Sequence, residues 1–526
     1  MRTIITKGVL VLSIHHQNSL KKVAFSGMLA FATISAPFLT ASVYAASNPN
    51  SVQADFNSML PNSAKTALSQ ALSNVPFTMP KMSIPKFSNK QFNIVNYGAV
   101  SNSYVVNTTA INDAITAASK AGGGEVVIPS GMWITGPIVL QSNVNLHIDA
   151  GALVQFTGNH DAYPLLPSGS KYVVQSPISS TNATNVAITG RGVFDGAGNT
   201  WRPVKKEKLS SSQWSALIAS GGVVSSDGSM WWPTVQGMNA EAYTKSHSMK
   251  TETDYENIKD YLRPIMVSFI GDKNVMIDGP TFKNSPSHTV KINSSTNVLI
   301  FNTKISNPWY SQNTDGFDIS ADNNVVMNED TINTGDDGIA LESSGSDNGT
   351  FKVQNIIIDN VHVYNGHSGF AVGSDTDGGV RNVYVHQLVC DGTEDGLRFK
   401  SGAGKGGMVK DVFINGVVMR DIQGYGITFN DGYVDNGADV SSLGASGSSS
   451  MIPEFEQISF SNIAGDDVNQ AIRMMGLPNA PIQDISLAHV FMRSDIGVVE
   501  QYTQNITNSD VNIVTDIHEL GEIPHF

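Results

Sequence analysis

A phrase of the form Asn-apolar-x-apolar returns along the chain as Asn185-Val-Ala-Ile, Asn274-Val-Met-Ile, Asn297-Val-Leu-Ile, Asn324-Val-Val-Met, Asn355-Ile-Ile-Ile and Asn382-Val-Tyr-Val. After the long first gap the spacings are 23, 27, 31 and 27 residues. Self-similarity at that period marks stacked units that bury their apolar faces against one another. Short period-two strands parted by Asn, Gly and Asp dominate from Phe92 onward, and helical stretches are few. The expectation is an all-β chain folded as a right-handed parallel β-helix. One solenoid then accounts for most of the 526 residues, and its core supplies the stability that a single cysteine, Cys390, cannot supply through an intramolecular disulfide.

A second phrase runs through the same coils, x-Gly-apolar-x-apolar-x, with glycines at Gly316, Gly338, Gly369, Gly396 and Gly426. Side chains alternate along a strand, so positions one and three after each glycine point to the core and positions two and four point to solvent. Equivalent residues of successive coils stack roughly 4.8 Å apart. Asp315 and Asp337 both precede the glycine and should be neighbours; Asp336 and His367 both stand two before it and should be neighbours too. Arg398 and Lys400 take the outward positions of a nearby coil. Repetition alone thus gathers three carboxylates, an imidazole and two cations on one surface.

Three carboxylates in close quarters cannot all ionise easily, and at least one is held protonated. One acid beside ionised bases is what glycoside hydrolysis requires. Two cations alongside would bind a carboxylate on the substrate, which points to an acidic polysaccharide. His367 either orients Asp336 or tunes its pKa. Isolated aspartates such as Asp322, Asp347, Asp375 and Asp377 read as turn residues between coils.

The remaining segments place boundaries. Residues 1–45 hold four basic residues and no acidic one, then an apolar run and small residues at Val43 and Ala45. That pattern reads as a secretory signal peptide cleaved after Ala45, giving a secreted or periplasmic protein with no membrane span after cleavage. Processing takes the formal charge from −14 to −18. So acidic a chain makes no nucleic-acid binder. Residues 46–91 form a Ser/Asn/Pro-rich lead-in, with a short helix over 55–72 and an extended linker through Pro76, Pro80 and Pro85. The catalytic β-helix is assigned to 92–526, capped by an amphipathic helix over 109–121. An insertion at about 197–263 breaks the coil period, carries a helix over 211–220, and holds four of the six tryptophans, Trp201, Trp214, Trp231 and Trp232. These aromatics either stack on sugars or pack the insertion onto the coil wall. The Ser/Gly-rich stretch 436–451 reads as a flexible loop that follows Tyr433.

Four short motifs, in order, are Asn313-Thr314-Asp315, Gly335-Asp336-Asp337, Gly366-His367-Ser368 and Arg398-Phe399-Lys400. With Phe92-Asn-Ile-Val-Asn-Tyr-Gly-Ala, Gly122-Gly-Gly-Glu-Val-Val-Ile-Pro, Asn284-Ser-Pro and Asn307-Pro-Trp-Tyr-Ser-Gln, they make most of 92–435 resemble glycoside hydrolase family 28, the polygalacturonases. The resemblance implies a pectin-lyase-like solenoid and inverting hydrolysis of α-1,4-galacturonosidic bonds. Asp336 would be the general acid, and Asp315 and Asp337 would activate the water. Arg398, Lys400, Tyr433 and Asn313 would bind the substrate, with no metal or organic cofactor and a monomeric protein. Inversion calls for roughly 6.5–9.5 Å between acid and base. Two departures stand out: Ser368 replaces the second glycine of Gly-His-Gly, and Glu342 stands where many relatives have lysine. The insertion, with Trp201-Arg202-Pro203, resembles bacterial exo-acting members, so the expected mode is exo. Endo cleavage, or a rhamnogalacturonan or xylogalacturonan backbone, is the alternative within the family. Rivals of other classes are a calcium-dependent pectate lyase and a non-catalytic carbohydrate-binding β-helix.

Overall fold

Every asparagine that opens the repeated phrase lies in the left-handed region, with φ between 55° and 62° from Asn185 to Asn382. Asparagine tolerates that conformation better than other side chains with a Cβ, and it turns the chain sharply into the next strand. The side-chain amides then bond from coil to coil: Asn382 donates to Asn355, Asn355 to Asn324, and so on through Asn297, Asn274 and Asn185 to Asn143, at 2.9–3.1 Å. The repeat is therefore both a bend and a ladder.

This computed structural model describes residues 64–345, 351–433 and 451–515. Behind the ladder the strands stack in parallel register in one 28-stranded sheet that winds as a β-helix, whose coils take the right-handed sense of parallel crossovers. Val275, Val298, Val325, Ile356 and Val383 form one inward column. All are fully buried, and each such side chain contributes about 1.5–3 kcal/mol relative to exposure. Aromatic stacks continue the core, from Phe194 on Phe282 at 5.5 Å to Phe399 on Phe429 at 4.5 Å.

The predicted cap is the helix Thr108–Lys120, which presents Ala110, Ile111, Ala114, Ile115 and Ala118 to the first coil. The insertion folds as the helices Ser211–Ala219, Val235–Ser246 and Glu252–Glu256 with a small three-stranded antiparallel sheet. Ser210 and Gln213 form a capping box at the start of the first. Trp201, Trp214 and Trp231 are buried in two satellite cores, and Trp232 stacks on Tyr261. The four tryptophans pack the insertion together.

The described part of the lead-in is not a free linker. Residues 64–71 are helical, and with Phe77, Met82 and Ile84 they cover an outward apolar column: Ala187, Met276, Leu299, Val326, Ile357 and Tyr384. These are the middle x residues of the Asn-apolar-x-apolar phrase. Their apolar character needs a cover, and residues 64–87 supply it. The leader and the 436–451 loop, apart from Met451, lie outside the described residues, as does Asp347.

Candidate active site

The glycines of the second phrase do not supply turns. A Cβ built on Gly316, Gly338, Gly369, Gly396 or Gly426 would lie no more than 3.0 Å from a backbone oxygen of the next coil, at or inside the closest approach of real Cβ atoms. Bare backbone lets adjacent coils close up here, and the residues just before each glycine are drawn into a tight stack. Gly316 N–H bonds Asp337 O, and His367 N–H bonds Asp336 O, so both expected neighbour pairs are rung neighbours. One carboxylate oxygen each from Asp315, Asp336 and Asp337 lies within 4.8 Å of the others. That is about one coil rise, and shorter than the roughly 6.5–9.5 Å expected between an inverting pair. The spacing follows from chain adjacency of Asp336 and Asp337 and from one-rung stacking of Asp315 on Asp337.

Each carboxylate has different company. Asp337 is buried; its Oδ1 accepts from Ser368 Oγ at 2.7 Å and its Oδ2 from Lys400 Nζ at 2.8 Å, with Arg398 Nη1 3.8 Å from Oδ1. Burial raises its pKa, but Lys400 and Arg398 outweigh that and hold it far below the usual carboxylate range. Asp336 accepts from His367 Nδ1 at 2.9 Å and from the Asn313 backbone N–H at 2.9 Å. Burial pushes it up, yet His367 and, more weakly, Lys400 bring it below its ordinary value. Asp315 is pushed up to about 7 by burial and then by the charge of Asp336, with His288 pulling the other way. In the free site the group with the raised pKa is thus Asp315, not Asp336.

Arg398 bonds Asp395 through Nε at 3.3 Å and lies 5.6 Å from the Tyr433 ring, with Lys400 Nζ at 5.3 Å. The expected binding residues therefore converge on the wall beside the acids. The expectation that positions two and four after the glycine meet open solvent fails: Asp318, Ala340, Ala371 and Lys400 point out of the solenoid but are buried in the groove.

Several residues here escaped the sequence reading. His288 Nδ1 lies 2.8 Å from Asp318 and 3.2 Å from Asp315, and Lys291 Nζ bonds Glu342 at 3.0 Å. Stepping one coil back from Gly316 would have found them, because Val290-Lys291 is in register with Phe317-Asp318; Thr289 stands where the phrase has glycine. Arg263 donates to Gln312 O at 3.0 Å and Asn313 Oδ1 at 2.8 Å. It ends the insertion, outside any repeat, and no spacing signals it. Two acidic sets, Asp315 with Asp336 and Asp337 and His288 with Asp315 and Asp318, have the spread of metal ligands. In the first set both Asp337 oxygens are already engaged by Ser368 and Lys400, which favours proton transfer over a cation cage there.

Carboxylates stacked on a parallel β-helix beside fixed cations suit acid–base chemistry on a charged substrate. The chain belongs to the glycosyl hydrolases family 28, whose sequence model matches residues 204–514, and it is a glycoside hydrolase. It is similar to a probable polygalacturonase of Vitis vinifera, 26% identical over 76% of this chain and 73% of the relative. An exo-poly-alpha-D-galacturonosidase of Dickeya chrysanthemi is 27% identical over 66% of this chain and 58% of its own length. An endo-polygalacturonase of Pectobacterium carotovorum is 27% identical over 60% and 70%. Among solved structures, an exopolygalacturonase from Thermotoga maritima superposes with a TM-score of 0.65 at 22% identity, covering 86% of this chain and 96% of that one. Among the described residues no helix is long and apolar enough to cross a membrane.

Proposed function

We propose that this protein hydrolyses α-1,4-galacturonosidic bonds of polygalacturonate, with inversion and from a chain end, after export by its leader. The observation that carries the reading is the stack of Asp315, Asp336 and Asp337 within 4.8 Å, with Arg398 and Lys400 beside it. Galacturonate docks its carboxylate on that cationic pair and on Tyr433. Its charge offsets Lys400, one of the groups that depress Asp336, so docking raises Asp336 and recruits the proton that the free site keeps on Asp315. Asp336, the most exposed of the three carboxylates, then protonates the glycosidic oxygen. Asp315, now ionised, and Asp337 draw the proton from the attacking water. Asp337, held on both oxygens, is poorly disposed to form a covalent bond to sugar, which supports direct attack by water over a glycosyl-enzyme route.

The exo mode is supported by the insertion, which Arg263 ties to Gln312 and Asn313 beside the acids, where a long polymer would otherwise continue. A product time course from polygalacturonate is the test. Reducing ends without ultraviolet absorbance, with monomer from the start and the β-anomer first in proton NMR, are expected. A ladder of oligomers would mean endo action. An absorbance rise abolished by chelator would replace hydrolysis by calcium-dependent elimination, and binding without turnover would leave a carbohydrate-binding solenoid.

A further inference from the structure

A second cavity, of about 720 Å³, opens at the other end of the catalytic strands. Phe317–Ser320 and Ile339–Glu342 begin just after Asp315 and Asp337 and end in its wall at Ser320 and Glu342. Asp337 to Glu342 spans roughly 16 Å of extended chain, so the cavity lies along the same strands, removed from the bond-breaking centre.

Its chemistry differs from the cationic wall. Lys291 is paired with Glu342 at 3.0 Å. Lys352 Nζ donates to Ser344 O at 3.2 Å, and Asp375 accepts from Ser344 Oγ at 2.9 Å. Two cations and two anions line the space, and the cation nearest the acids is already neutralised. A bare uronate would have to compete with Glu342 for Lys291. The other wall groups are hydroxyls and amides, with the Phe351 ring as an apolar side. Ser320 Oγ and Asn323 Oδ1 are buried with no hydrogen-bond partner among the described residues. Both atoms lie beneath the surface, so the groups offered to a sugar are the accessible amides and hydroxyls of Asn293, Ser294, Ser344 and Gln354.

We propose that this cavity is a subsite for an uncharged pyranose, so that the enzyme prefers pectin whose cleaved galacturonate lies near a methyl-esterified unit or a neutral branch sugar. This rests on the galacturonan reading above.

Binding to the Asp336→Asn protein separates the two ideas. Its affinity is measured by calorimetry for oligogalacturonides of one backbone length in three forms: unesterified, methyl-esterified and xylose-branched. At least one uncharged form should bind about tenfold tighter than the unesterified one, a difference of about 1.4 kcal/mol. The methyl-ester and xylose arms tell which source supplies the uncharged sugar. Adding Glu342→Lys should reverse the preference, and Asn323→Ala should weaken it. Tightest binding of the unesterified oligomer, equal affinities, or a Glu342→Lys protein that melts normally yet keeps the parent preference would each overturn the assignment. Wild-type protein that turns over no galacturonan refutes the galacturonan reading, while the binding preference still decides the subsite.

Discussion

Ser368 Oγ donates a 2.7 Å hydrogen bond to Asp337 Oδ1. The residue that departs from the Gly-His-Gly signature thus holds one of the two carboxylates we propose to activate the water. A hydrogen bond to a charged group contributes about 1.5–3 kcal/mol. Ser368→Gly should lower kcat about tenfold with little change in KM, and Ser368→Thr should recover part of the loss. Unchanged steady-state kinetics for Ser368→Gly would show that Lys400 alone suffices.

Replacing Asp336 by Asn should lower kcat by about 10²–10⁴-fold, the range of general acid catalysis. Substrate affinity by calorimetry should be largely kept, because the cations proposed to bind the sugar remain.

Arg398→Ala should act differently. It removes the guanidinium that faces Tyr433 and Asp395, so its main effect should be a raised KM on polygalacturonate. A KM equal to that of the wild-type enzyme would contradict its role.

In the proposed mechanism the catalytic proton is the one the free site keeps on Asp315, which burial pushes up to about 7. kcat/KM should therefore fall as pH rises through about 7. His288, when charged, stabilises ionised Asp315; its removal raises the Asp315 pKa. His288→Gln should move the alkaline limb upward, and a downward shift in the pH profile would refute the coupling.

Stability should also depend on pH with a definite sign. Burial raises Asp315 to about 7 and Asp395 to about 6, and it raises Asp322, Asp330 and Asp431 well above the ordinary value. The folded state binds these protons more tightly than the unfolded chain, so their contribution is complete below about pH 4 and is lost as pH rises through the folded values. His288, raised against Asp318 and Asp315, acts in the same direction. Asp337, depressed far below the usual range, loses its contribution only in strong acid. Melting temperature should be higher at pH 5 than at pH 8 in scanning calorimetry.

The fold was legible because its repeat is physical. The asparagine that bends the chain also bonds to its copy on the next coil, so one residue type recurs for two reasons at once. The columns of Asp315 over Asp337 and Asp336 beside His367 followed from the same counting. What stayed hidden has no repeat to announce it. Arg263 reaches Asn313 from the insertion, and residues 64–87 dock on the wall through tertiary packing. The free-site proton on Asp315 depends on burial, which spacing does not report. The short distance among the acids was hidden for another reason: the coil rise fixes it, whereas the expectation came from a general rule for inverting enzymes.

The glycines stacked at Gly316, Gly338, Gly369, Gly396 and Gly426 act as a ruler. With no Cβ in the way, the coils on the catalytic wall close up to backbone contact, so the height between successive acids is set by backbone alone. The intervals between those glycines nonetheless range from 22 to 31 residues. Nearly all of that variation falls in the turns that follow the catalytic-wall strands. A lineage built this way can lengthen, shorten or recharge the rims that choose a polymer while the reacting carboxylates keep their relative positions.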